Sequence, residues 1–171
     1  GEMQDCIRKI DLINDHVSDY SGECGSAGST DSPAKYNNIY DMEWSGTDMI
    51  IFEQKCIRKL DSSGVLTTIA GKCTTTGDVD GTGDAARFQQ IWGGTVDDQG
   101  NAYIVDYGNY KYKKLVISTG VVTTLAGTGT FAQNDGDALS ADVKPACIAY
   151  IEPGVFLLGE FNALRLLKDG Q

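Results

Sequence analysis

The sequence predicts an all-β fold, a β-propeller whose blades are four short antiparallel strands. Three observations predict it: a repeat, strands too short for helices, and turn residues at every expected reversal. Cys56-Ile57-Arg58-Lys59-Leu60-Asp61 repeats Cys6-Ile7-Arg8-Lys9-Ile10-Asp11 after 50 residues. Tyr112-Lys113-Lys114-Leu115 takes the same place 55 residues on, and Leu164-Arg165-Leu166-Leu167 takes it after 52 more. A fixed period of this size marks a repeat architecture, and four β-strands per unit mark a propeller blade.

Two further markers recur in the same order. Val65-Leu66-Thr67-Thr68-Ile69-Ala70-Gly71 matches Val121-Val122-Thr123-Thr124-Leu125-Ala126-Gly127, with a worn copy at Val17-Ser18-Asp19-Tyr20-Ser21-Gly22. Between repeats, Ala86-Arg87-Phe88 corresponds to Ala34-Lys35-Tyr36 and loosely to Ala141-Asp142-Val143.

Within one repeat the expected strands are 95–97, 102–105, 112–117 and 121–125. They are separated by Asp98-Gln99-Gly100-Asn101, Asp106-Tyr107-Gly108-Asn109 and Ser118-Thr119-Gly120, which tolerate positive φ. Runs of four to six residues rich in Val, Ile, Thr and Tyr suit a pleated, half-buried surface. The repeat boundaries give a partial blade at 1–24, blades at 25–73 and 74–128, and a partial blade at 129–171, about three to four blades in all.

The segment 86–127 resembles the NHL-repeat family of β-propellers. It carries that family's aromatic after Ala-Arg, its Gly-Asn and Asp-x-Gly-Asn turns, its basic strand and its Val-Thr-Thr-x-Ala-Gly strand. The likeness is strong in the middle third and weak at both ends. Trp44-Ser45-Gly46-Thr47-Asp48 and Glu152-Pro153-Gly154 replace the Gly-Asn turn in the flanking repeats. Six blades are common in that family, and four third-strand copies exist here. The chain is therefore expected to be an excerpt of a larger ring, or to have its incomplete ends completed by closing as a four-bladed ring or by pairing with another copy. Gly1, where an initiating Met would stand, and the lack of a leader-like segment agree with a mature chain or an excerpt. The exposed edge, with Leu164 and Leu166 along it, is the expected contact with residues outside the chain.

Cysteines mark two hairpins. Cys6 and Cys24 bracket the third and fourth strands of the first repeat, and Cys56 and Cys73 bracket those of the second. Both positions change together in the third repeat, to Lys111 and Gly129, as a bridge requires. Two disulfides imply an oxidising compartment, hence an extracellular or secreted protein. Cys147 reads as a buried small apolar residue.

Composition excludes several functions. The chain of 171 residues has 14 Lys+Arg against 24 Asp+Glu, a net charge of −10, which is wrong for nucleic acid. No apolar run reaches the ~20 residues of a membrane helix. His16 is the sole imidazole, so the several-histidine metal centre of propeller lyases has no ligands here. No Gly-x-Ser-x-Gly elbow or Cys-His pair offers a nucleophile. Asp78, Asp80 and Asp84 alternate as hard-cation ligands would, yet they occupy the ordinary inter-blade linker, so no metal and no cofactor are expected.

Tyr107, Tyr110, Lys111, Tyr112 and Lys113 form the one compact aromatic and basic patch. Strand alternation predicts a packed row of tyrosines with the lysines solvated on the other side. The alternative is a face that stacks sugars or attracts an anionic partner. The expected function is a non-enzymatic extracellular scaffold or protein-interaction module. A subunit that polymerises through its split blade is the alternative, and a piece of a lyase-like enzyme is the next. Glycan attachment would be O-linked, at tracts such as Thr74-Thr75-Thr76, because no Asn-x-Ser/Thr sequon exists.

Overall fold

The computed structural model describes residues 6–25 and 27–168. It is a row of antiparallel sheets. Strands β1 (Ile7–Asp11) and β2 (His16–Ser21) make a hairpin, so His16 opens a strand and does not lie in the turn. Strands β3 (Ile39–Ser45), β4 (Asp48–Glu53), β5 (Cys56–Leu60) and β6 (Leu66–Gly71) form a four-stranded meander. Next comes a sheet of β8 (Ile91–Val96), β9 (Asn101–Asp106), β10 (Lys111–Val116) and β11 (Val121–Ala126). The two-residue strand β7 (Gly81–Thr82) of the linker pairs with its outer edge at β11. Strands β12 (Pro145–Glu152), β13 (Val155–Glu160) and β14 (Leu164–Lys168) make the last sheet. The first strands β3, β8 and β12 are neighbours of one another in sequence of blades, which fans the sheets about their inner edges.

Strand β8 begins four residues before the segment expected from sequence and takes in Gly93 and Gly94. They lie in the strand for a packing reason. A Cβ on Gly94 would collide with the Phe52 ring and the Tyr103 carbonyl, and Gly93 faces Asp41 of the preceding blade. Asp41 in turn accepts the Gly94 N–H at 3.2 Å.

The core lies between sheets. Ile50, Phe52, Ile57 and Ala70 of one blade meet Ala86, Phe88, Ile91, Ile104, Leu115 and Val122 of the next. Tyr103, Val105 and Tyr112 then meet Val143, Ile148, Phe156, Leu158 and Leu167. Ile7, Tyr36, Ile51, Leu60 and Leu66 join the first hairpin to the second blade. A middle blade is covered on both faces, so Ile50–Glu53 on β4 and Ala102–Asp106 on β9 are buried without alternation. Burying each such side chain contributes roughly 1.5–3 kcal/mol.

The glycine that recurs at the end of each fourth strand, after Ser21, Ala70 or Ala126, has one job. Gly22, Gly71 and Gly127 all have positive φ, at 83°, 80° and 102°. Each presents bare backbone to the next blade: a Cβ there would press on Tyr36, Phe88 and Val143 respectively. These are the third residues of the three Ala-x-x linker markers, and all are buried. The two sequence markers are thus opposite halves of one joint.

Cys6 and Cys24 are bridged with Cα atoms 4.9 Å apart, and Cys56 and Cys73 with Cα atoms 4.8 Å apart. Cys147 differs from expectation. It is exposed, because it follows an irregularity in the pairing of β12 and faces away from the buried Pro145 and Ile148. Leu164 and Leu166 are exposed on β14, while Leu167 faces the core.

Candidate functional site

Each third strand carries a basic residue, and in three of the four a bulge lies beside it. Pairing between third and fourth strands slips at Ile7/Arg8, Ile57/Arg58 and Tyr112/Lys113. One extra fourth-strand residue stands at each slip: Tyr20, Ile69 or Leu125. Lys113 is fully buried, because a middle blade is covered on both faces, and this overturns the expectation of a solvated lysine.

Its ammonium lies 2.9 Å from Asp78 and 2.8 Å from Asp80, both in the linker. Lys111 reinforces Asp78 at 2.5 Å. Asp80 also accepts the Thr124 N–H at 2.7 Å and the Thr124 hydroxyl at 3.1 Å. Burial pushes the Asp80 carboxyl up, but Lys113 and Thr124 outweigh it and hold it below the usual carboxylate range. Burial draws the Lys113 ammonium down, and the two aspartates outweigh that in turn and raise it. Asp84 is not part of this cluster; it lies in a 3-10 turn over Gly83–Ala85.

The same clamp recurs in the neighbouring blades. Arg58, fully buried, donates to Glu53 and Asp31 at 2.8 Å each and to the carbonyls of Thr30 and Lys35 at 2.5 Å. Asp31 accepts from Thr68 as Asp80 does from Thr124. Arg165 donates to Glu160 at 2.9 Å and to the Asp142 and Asn134 carbonyls, and pairs with Asp135 at 2.8 Å. Asp78 and Asp80 are thus engaged by a cation of the chain itself, and such clusters tie linkers to their blades.

The sequence patch splits in two. Tyr112 is buried and donates its hydroxyl to the Gly159 carbonyl at 3.1 Å, which joins it to the core with Lys113. Tyr107 and Tyr110 instead stay at the surface, in and after the 3-10 turn Tyr107–Asn109 that links β9 to β10. There they meet three rings that the sequence reading did not associate with them. Trp92 stacks on Tyr107 with centroids 3.8 Å apart and 15° between planes. Phe161, from the β13–β14 connection, stands edge-on to Trp92 at 5.9 Å and to Tyr107 at 6.0 Å. Phe131, from the linker before β12, lies 5.0 Å from Tyr110 and 6.4 Å from Phe161. Tyr107 and Tyr110 are 6.2 Å apart, which closes a circuit of four rings. Lys144 places its ammonium 4.9 Å from the Phe131 centroid.

All five rings emerge at one end of two blades, where linkers and second-to-third-strand connections meet. Phe131 and Phe161 are 48% and 56% exposed, an unusual cost for apolar rings that touch each other. Tyr110 holds φ at +52°, a left-handed conformation disfavoured for an aromatic residue.

No protein-family model matches the chain. A stretch of 94 residues, 54% of the chain, is 36% identical to NHL repeat-containing protein 2 of Bos taurus and corresponds to 12% of that protein's length. The chain also superposes on a solved protein of unknown function from Bacteroides thetaiotaomicron, at 27% identity and a TM-score of 0.74. The fold is a β-propeller, and these likenesses support an NHL-type repeat at low identity. That superposition covers 97% of the NHL-type chain and 42% of the solved one. An auxiliary nutrient binding protein from the same bacterium shares the fold at a TM-score of 0.76 and 19% identity. There, 98% of this propeller chain covers 44% of the other. Among the described residues no helix is long and apolar enough to cross a membrane.

Proposed function

We propose that this propeller is a non-enzymatic binding module, working in an extracellular setting, that takes its ligand on the aromatic face of Trp92, Tyr107, Tyr110, Phe131 and Phe161. The observation that carries the reading is the ring circuit itself, assembled from three separate loops at one end of the blades. Loops held by a rigid scaffold are where binding groups concentrate. The buried charged residues, by contrast, are spent on holding linkers. Two disulfides suit an oxidising location. The likeness in fold to an auxiliary nutrient binding protein supports a binding role in general terms.

The test is a thermal-shift screen with small amines, pyranosides and amino acids, run on the natural chain and on a Phe131→Ala/Phe161→Ala variant. Ligands on this face raise the melting temperature of the first and not of the second, through binding linkage. Equal shifts in both proteins would place the ligand elsewhere.

A further inference from the structure

We infer that the four-ring circuit is a receptor for a quaternary ammonium group, for which Lys144, over Phe131, is a competing cation. The inference rests on the proposed role of the aromatic face and names its ligand class.

Aromatic faces carry negative charge density and attract cations within about 6 Å of the ring centroid. Tyr107, Tyr110, Phe131 and Phe161 follow one another around the circuit at 6.2, 5.0, 6.4 and 6.0 Å. Most of these pairs are near perpendicular, at 87°, 74° and 68°, so the rings do not form a flat stack. Trp92 backs Tyr107 and fixes its angle. The strained backbone at Tyr110 falls on this circuit, where a held ring orientation has a use.

One ring of the circuit already draws an ammonium. Lys144 has no ion-pair partner among the described residues, yet its charge sits over Phe131. The net charge of −10 raises the local concentration of further cations.

Polar groups flanking the rings decide the class. The Asn109 amide donates to Gly77 and Asp106, the Lys111 ammonium to Asp78, and the Gln133 amide to Glu160. A sugar needs several convergent hydrogen-bonding partners, and here those side chains serve the fold. A quaternary ammonium has no N–H to satisfy and binds through ring faces alone.

The experiment titrates choline into the Trp44→Phe protein, so that Trp92 is the fluorescent reporter, with calorimetry in parallel. The uncharged carbon isostere 3,3-dimethylbutan-1-ol is the control. Choline should bind about 10-fold more tightly than the isostere. Phe161→Leu keeps apolar volume without a π face and should weaken choline by about 5- to 10-fold. Lys144→Gln, which removes the competing cation, should tighten it. Equal affinity for choline and isostere, unchanged binding by Phe161→Leu, or weaker binding by Lys144→Gln each overturns the inference. Binding of methyl β-glucoside that needs the rings, with none of choline, rejects the ligand class and leaves the aromatic face as the binding site. Failure of every screened ligand to depend on Phe131 and Phe161 rejects both readings.

Discussion

Lys113 and Asp80 are 33 residues apart in the chain, and their charged atoms are 2.8 Å apart. The contact joins a third strand to the linker that precedes its own blade. Removing one side of it is not equivalent to removing the other. Lys113 is wholly buried, whereas the side chains of Asp78 and Asp80 are 36% and 42% exposed. An ammonium stripped of both carboxylates stays out of water, while carboxylates stripped of the ammonium still reach it. Asp78→Ala/Asp80→Ala should therefore destabilise by about 3–5 kcal/mol and Lys113→Met by clearly less. Urea denaturation of the variants measures the difference, and the opposite order would refute the clamp.

Acid should loosen the linkers. The carboxyls of Asp31, Asp78 and Asp80 all lie below the ordinary value of 3.8 in the fold, since their cationic and N–H partners outweigh burial. Stability from a lowered carboxylate is fully present above its unfolded pKa and is lost as pH falls through the folded one. Melting temperature should hold steady down to about pH 4.5 and decline below it. Asp78→Ala/Asp80→Ala should show a shallower decline. A decline of identical steepness would assign acid sensitivity to other groups.

Calcium should leave the protein's melting temperature unchanged, because Lys113 occupies the Asp78 and Asp80 oxygens that a cation would need. A calorimetric scan with millimolar calcium, and one with chelator, checks this. A rise of many degrees with calcium would overturn the assignment.

Glycine substitutions separate backbone strain from crowding. Gly64 has φ of 86° and open space where a Cβ would project, so Gly64→Ala should cost about 1 kcal/mol. Gly71 has a similar φ of 80°, but a Cβ there would sit 2.6 Å from the Lys55 carbonyl and 2.9 Å from Phe88. Gly71→Ala should cost about 2 kcal/mol more than Gly64→Ala. Equal effects would show that the joint between blades yields.

Opening the Cys56–Cys73 bridge, with a sequence separation of 17, should cost about 3 kcal/mol through unfolded-state entropy. Non-reducing peptide mapping should recover Cys56 with Cys73 and Cys6 with Cys24. Recovery of Cys24 joined to Cys73 would contradict the hairpin register.

The blades and the hairpin bridges were legible in the sequence because each depends on local order. Arg58 and Lys113 share a register with Thr68 and Thr124, and that register follows directly from the repeat. The burial of Lys113 was not legible. Alternation correctly sets Lys113 on the side opposite Tyr112, but the neighbouring blades cover both sides, so neither is solvated. The aromatic face was half visible, through Tyr107 and Tyr110. Phe131 and Phe161 come from different loops with no shared motif, and only blade-to-blade packing brings them together. A signal did exist: both are large apolar residues in turn-rich segments.

The joint at Gly22, Gly71 and Gly127 has a consequence for how the molecule comes apart. Each glycine surface is filled by a side chain that belongs to the following repeat, at Tyr36, Phe88 or Val143. Cohesion is therefore a nearest-neighbour coupling written across repeat boundaries, as in a one-dimensional chain of interacting units. A fragment cut at the sequence period would lose one half of a joint at each cut. A fragment cut just after Phe88 keeps the preceding joint whole. The cooperative unit of unfolding is consequently offset from the unit of sequence repetition, running from the middle of one linker to the middle of the next.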